Sequence, residues 1–497
     1  MKKYDGGPVS PGPSSKESVI HYLLFAWFVV GLAYVILVPV SNNFVLYPIL
    51  LLFGVFGAYS LFRYRSYPSR LLSTPALIWI IFVLFGLVVG LVRSAEDLAR
   101  PLVFLAFWPA VFAFMVLGFR RSLVRSVLSS GAAMTVAISI LFLLGALFKL
   151  EYIPINPVPD WLNALVGLRY SVDSAGSMAF TSRALPSLLW WGAIWMSSLL
   201  VSRADIFLPP VWLRFLAASL SISAVLVSGR RGIVLALILV PLISLILWVV
   251  LNVPSARLRR ARKRVIAPIL RLTAGVAVGV FIALPLQPQL SGSLRSIGDS
   301  ILTVVVAPGG LAFETIPENV DSIEEDNEIS DTIRANESQN LLDVKSPADL
   351  LVGHGFGSHV ERGLLEREIR PWQSELQYHL LFHWTGLVGI ALLLGFFVTS
   401  LYTVRKAARA EDPLGGALFI TSVGAIATLA ANATNPYLQA PGHMWIVFLP
   451  LMIAAVILPR IPAGEHYPDV FRRIRVRARR SESIRQNDGT GESGGRA

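Results

Sequence analysis

The chain has no cysteine. Loops therefore have to be held without disulfides, and thiolate metal sites and thiol nucleophiles are excluded. Histidine is scarce at seven residues, with no H-x-x-H or H-E-x-x-H pattern, so nothing recommends a zinc site and no cofactor is expected. Charge is also thin, at 15% of 497 residues, against about 25% in soluble domains.

Apolar residues fill the gap. They make up 54% of the chain, and mean hydropathy is +0.63. Runs near the ~18 residues that match a bilayer recur along the sequence. The pattern predicts an all-α polytopic membrane protein with about 12 transmembrane helices, near 19–39, 44–62, 73–92, 101–118, 127–148, 186–201, 212–228, 232–251, 268–286, 376–401, 415–431 and 444–459. A tail, 1–18, carries Lys2, Lys3 and Lys16 and is too long and irregular for a signal-peptide n-region, so the first apolar segment is expected to stay attached. Spans one to nine occupy 19–286, a large loop 287–372, spans ten to twelve 373–459, and a basic tail, expected to be disordered, 460–497.

Placing both termini in the cytoplasm puts Arg63–Arg70, Arg120–Arg125, Arg203–Arg214, RLRRARKR at 257–264, Arg405–Arg409 and FRRIRVRARR on the inner side. With the tails and span ends, that side holds 30 of the 43 Lys and Arg residues. The bias fits the positive-inside rule. The net charge of +12 is thus mostly topogenic, helped by anionic lipid, and does not call for nucleic acid.

Arg230 and Arg231, in VSGRRGIV, fall on the outer side against that bias. Ionisable groups at membrane depth are costly and point to function. A bound anion supplies a reason; the plainer reading is that one of the two snorkels or meets carbonyls, since helix neighbours point about 100° apart.

Two outer segments exceed mere connections. The first, Lys149 to Pro186, holds the helix-breaking IPINPVPDW and then Arg169 and Arg183; Arg183, near a proline opening the sixth span, serves function or interface anchoring equally well. The second, Leu286 to Trp372, is acidic between Glu314 and Asp349, with EEDNE at 324–328. Its centre is expected to be mobile and solvated, its flanks helical or packed at the membrane surface.

That loop ends in LLVGHGFGSH from Leu350, with glycines at 353, 355 and 357 that permit positive φ and close approach, and RPWQSELQYHLLFHWTGLVG from Arg370. Glu375, Tyr378, His379 and His383 are spaced for one helical face at the mouth of a span. They gather a carboxylate and polar rings, or simply anchor the helix among headgroups. A carboxyl beside apolar surface can have a raised pKa and act as a base. In NATNPYLQAPGHMW, Asn435–Pro436 marks a turn.

SGRRG at 228–232, GHGFGSH at 353–359, ELQYHLLFHWTGLVG at 375–389 and TNPYL at 434–438 together resemble the bacterial Wzy-like O-antigen polymerase and O-antigen ligase superfamily, over roughly Arg169 to Pro459. The resemblance implies a metal-independent, inverting membrane glycosyltransferase. Its donor is an oligosaccharide on undecaprenyl diphosphate, its acceptor a glycan, with membrane lipid and a chain-length regulator as further partners. It implies that Arg230 and Arg231, with Arg183 and Arg169, receive the diphosphate leaving group, as bidentate guanidiniums can. Ligase members are thought to use a loop histidine as base, whereas the stretch here offers Glu375, which favours polymerase; His354, His359 and His379 remain alternatives, and Tyr378 and Asn435 would position the acceptor or loop. A transporter or flippase of lipid-linked sugars would use the same arginines, but no repeat relates the two halves. Peptidoglycan polymerases would need motifs that the sequence lacks.

Overall fold

The computed structural model describes residues 15–39, 43–64, 66–67, 69–95, 97–172, 178–202, 205–251, 262–286, 338–342, 346–358, 376–410, 412–433, 436–458 and 461–462. It is mostly helical. The first half comprises α1 (Ser15–Leu37), α2 (Asn43–Tyr64), α3 (Arg70–Val92), α4 (Ala99–Leu102), a π-helical turn (Val103–Phe107), α5 (Trp108–Gly118), α6 (Arg121–Lys149), α7 (Asp160–Val166) and α8 (Leu185–Ser198). The second comprises α9 (Val211–Val227), α10 (Arg231–Ile238), α11 (Val240–Val250), α12 (Arg262–Ala283), α13 (Pro347–Val352), α14 (Gln377–Ala408), α15 (Gly415–Ala431) and α16 (Pro441–Ile457). β1 (Ser66–Tyr67) pairs antiparallel with β4 (Ile461–Pro462), and β2 (Arg169–Val172) with β3 (Met178–Thr181).

Among the described residues, six helical stretches are long and apolar enough to cross a bilayer: Phe44–Leu61, Leu71–Val92, Ala99–Gly118, Arg121–Lys149, Ala267–Leu286 and Gln377–Ala408. Shorter apolar helices accompany them, among them Val211–Val227, Gly415–Ala431 and Pro441–Ile457. The surface suits a lipid environment. On α3, Leu77, Ile80, Ile81, Leu84, Val88 and Leu91 are all exposed, a three-and-four-residue stripe that no soluble protein leaves in water.

The short helix α8 lies inside. Every residue of α8 except Pro186 is buried. Its 14 residues span roughly 21 Å at ~1.5 Å per residue, less than the ~30 Å hydrocarbon layer. A helix surrounded by protein need not match that thickness, because non-helical backbone at membrane depth is tolerated where other helices enclose it. Small residues bring the backbones together, as expected without a hydrophobic drive between helices. Gly131 of α6 lies against the ring of Trp191, which stacks on Trp195, and Gly424 of α15 lies against Ile194.

Contacts sort the connecting segments into two ends of the bundle. At one end Arg120 Nε donates to Ser60, Arg121 makes a bidentate pair with Asp412 and lies over the Phe207 ring, Thr403 donates to the Leu71 carbonyl, and β1 meets β4. At the other end Arg93 pairs with Asp349, Tyr152 donates to the Pro285 carbonyl, Tyr170 to the Phe142 carbonyl, and Phe180 N–H to the Ser228 carbonyl. Arg230 belongs to the second group. The acidic stretch 314–337, with EEDNE, lies outside the described residues, as do the tails 1–14 and 463–497. Of the loop flanks, 338–342 and α13 are helical, and Leu341 and Phe356 are buried with α3 and α14 residues.

Candidate functional site

Two structures stand at the Arg230 end. The first is an arginine turn. α9 stops at Val227; Ser228 is buried, its hydroxyl donates to the Val225 carbonyl and accepts the Arg230 N–H (3.3 Å), and Gly229 has φ +66°. The chain thereby reverses, leaving Arg230 exposed in extended geometry at the N-cap of α10, with Arg231 as the first helical residue. The Arg231 side chain lies outside the described residues.

The β2–β3 hairpin lies beside this turn. Phe180 N–H donates to the Ser228 carbonyl (3.2 Å). On its buried side Phe180 packs edge-on against Phe142 of α6 (5.0 Å), and Tyr170 donates to the Phe142 carbonyl (3.1 Å). Burial pushes the Tyr170 phenol up, so it stays a neutral donor. Arg169 faces Thr181 in the register, and Arg183 follows two residues later; both arginines are exposed. Arg183 Nη1 donates to the Leu165 carbonyl (3.4 Å), ahead of α8. The hairpin thus brings Arg169 and Arg183 to the neighbourhood of Arg230. Among the described residues, none of the three pairs with a carboxylate. Guanidiniums without a carboxylate partner, at the start of α10 and on the neighbouring hairpin, suit an oxyanion with several oxygens.

The second structure is a glycine wedge. α14 breaks at Gly386, where φ is +57° and ψ −162°. A break at membrane depth releases carbonyls that must be satisfied. The GHGFG loop does so: His354 N–H donates to the His383 carbonyl and Gly355 N–H to the Trp384 carbonyl, both at 2.8 Å. On its other side Phe356 N–H donates to the Gly86 carbonyl of α3 (3.1 Å). Gly355, at φ +87°, runs so close to Gly90 that a Cβ would lie 2.3 Å from its backbone. Only glycine fits there. The loop is anchored at its start by α13, where the Ser346 hydroxyl, and behind it the Arg93 guanidinium, hold the Asp349 carboxyl below the usual carboxylate range.

The wedge stacks the His354 ring on His383, centroids 4.4 Å apart at 22°. His383 is buried and His354 half-buried. His379 is half-buried one turn earlier on α14. Tyr378 donates to the Leu429 carbonyl of α15 (2.7 Å), which makes it a strut between helices. The fully buried Asn432 continues that strut: its Oδ1 accepts the Leu438 N–H (2.9 Å) and folds the following turn back over α14. A 3-10 turn at Tyr437–Gln439 results, with Tyr437 and His443 packed edge-on to Trp190 of α8. Glu375, His359 and Asn435 lie outside the described residues.

Of the sequence candidates, the structure groups Arg169, Arg183 and Arg230 on one side and His354 and His379 with Tyr378 on the other. His383 becomes the stacking partner of His354. Sequence reasoning missed Arg93–Asp349 and Asn432; only the run of glycines hinted that another chain segment would come close. Comparison with family models and with curated proteins finds no match for this chain.

Proposed function

We propose that the protein is a membrane-embedded glycosyltransferase that polymerises undecaprenyl-diphosphate-linked oligosaccharide units into surface polysaccharide. The observation carrying this reading is the arginine turn: Arg230, with Arg169 and Arg183 brought beside it by the hairpin, offers unpaired positive charge at one end of an apolar bundle. In this reading the end is extracytoplasmic, twelve helical segments cross the inner membrane, both termini are cytoplasmic and the large loop joins the ninth and tenth spans. The guanidiniums stabilise the diphosphate as the anomeric C–O bond breaks.

The acceptor hydroxyl attacks the anomeric carbon and gives its proton to a base. Glu375, two residues before α14, is the first choice. His354, His359 and His379 are the alternatives, and the ordered His354–His383 stack favours the ligase variant, in which an imidazole takes the proton. No metal or other cofactor enters the mechanism. Reconstitution with a lipid-diphosphate oligosaccharide tests the proposal: growing chains support it, while movement of intact units across the bilayer would make the protein a flippase.

A further inference from the structure

A groove between α6 and α12 has no role in the reading above. Ile140, Leu144 and Leu147 of α6 wall it on one side, Ile282 of α12 and Pro285 on the other. Its volume is about 470 Å³, within the ~300–1,000 Å³ usual for small-ligand sites. It opens sideways to the lipid-facing surface, where Ile140 and Leu144 are exposed. Tyr152 forms the rim at the Arg230 end: its N–H donates to the Leu147 carbonyl (2.9 Å) and its hydroxyl to the Pro285 carbonyl (3.3 Å). With that hydroxyl engaged, the lining side chains offer a ligand apolar surface.

The same turns of α6 carry the arginine side. Tyr170, next to Arg169, donates to the Phe142 carbonyl, and a Cβ at Gly145 would collide with its hydroxyl. Phe142 and Gly145 alternate along α6 with the groove residues Ile140, Leu144 and Leu147, so the hairpin and the groove occupy different faces of one helix end. Lys149, the last residue of α6, comes four residues after Gly145 and seven after Phe142, which puts it on the hairpin's face. It is exposed and, among the described residues, pairs with no carboxylate, its neighbour Glu151 included. Lys149, Arg169, Arg183 and Arg230 thus gather positive charge at the end of the bundle where the groove has its rim. An amphiphile with an anionic head and a hydrocarbon chain complements both features at once. A soluble anion would leave the groove without a partner, and a neutral lipid would leave the cations without one.

We infer that the groove seats the isoprenoid chain of the lipid-linked donor and that Lys149 meets the phosphate nearest that chain; the inference rests on the donor assigned above to the arginine turn. In hydrocarbon no hydrophobic drive favours the groove over bulk lipid. The groove therefore selects by shape, while the cations hold the head.

The test uses the full chain in nanodiscs of a neutral phospholipid and two probes: undecaprenyl diphosphate, and inorganic diphosphate, which has the head without the chain. Leu144→Trp, at an exposed position in the groove, should weaken undecaprenyl diphosphate binding roughly tenfold or more, the scale of an overpacked contact, and leave diphosphate binding unchanged. Lys149→Ala and Arg230→Ala should each weaken both probes. Should Leu144→Trp not fold, Ile140→Trp, exposed on the same wall, serves in its place.

Wild-type affinity for undecaprenyl diphosphate in both tryptophan variants would mean that bulk lipid fills the groove, and overturns the inference while Arg230→Ala still reports on the donor assignment. Wild-type affinity for both probes in Lys149→Ala overturns the role of Lys149. A tryptophan variant that weakens the lipid, with Arg230→Ala weakening neither probe, sustains the groove and overturns the diphosphate assignment. A wild type that binds neither probe overturns both.

Discussion

Gly355→Ala should expel the wedge from between α3 and α14. At φ +87° an alanine carries roughly 1–2 kcal/mol of backbone strain. Its Cβ would also lie 2.3 Å from Gly90 N and Cα, and backbone cannot rotate away as a side chain can; overpacking of this kind costs about 1–3 kcal/mol. The sum, roughly 2–5 kcal/mol, shifts the seated population by about 30-fold to several-thousand-fold at ~1.4 kcal/mol per decade. Because the chain has no cysteine, a single introduced pair reports without background. His354→Cys with His383→Cys, placed where the rings are 4.4 Å apart, should form an oxidative cross-link in the otherwise native chain. In the Gly355→Ala background the cross-link should largely disappear. Equal cross-linking rates in the two backgrounds would show that the loop is not held as described.

Glu375→Gln should lower turnover on the order of 10²-fold or more, the usual scale for general-base removal, with donor affinity little changed, as single-turnover kinetics would show; equal losses in both would make Glu375 a binding residue. Asp349 has a depressed pKa from Ser346 and Arg93, so its contribution to stability is full above its ordinary value and lost as pH falls through the folded one. Protease cleavage within 346–358, followed across that acid range, should rise in the wild type and be high and flat in Asp349→Asn; a pH-dependent variant would contradict this.

Much of the fold was legible because the bilayer imposes a length on every lipid-facing helix. Predicted segments such as 73–92, 415–431 and 212–228 lie within a few residues of α3, α15 and α9. Hydropathy does not reveal which helices face lipid and which face protein, since both surfaces are apolar; the burial of α8, and hence its shortness, was invisible for that reason. The β2–β3 hairpin had a signal that went unread: RYSV and MAFT flank DSAGS, with turn residues between two short runs. The break at Gly386 hid inside HWTGLVG, where a glycine among apolar residues reads as ordinary packing. Its consequence, the pairing of His354 N–H with the His383 carbonyl, depends on a contact between segments about 30 residues apart, beyond the reach of local periodicity.

The central claim is that Arg230 receives a departing diphosphate during chain growth. Purified protein in liposomes, supplied with a defined undecaprenyl-diphosphate oligosaccharide, should give a ladder of lengthening glycans on a gel. Arg230→Ala, folded by circular dichroism, should reduce ladder formation by about 10²–10³-fold, the scale for loss of one oxyanion-stabilising donor. A ladder of wild-type length and rate from Arg230→Ala would contradict the account, as would a wild type that elongates nothing.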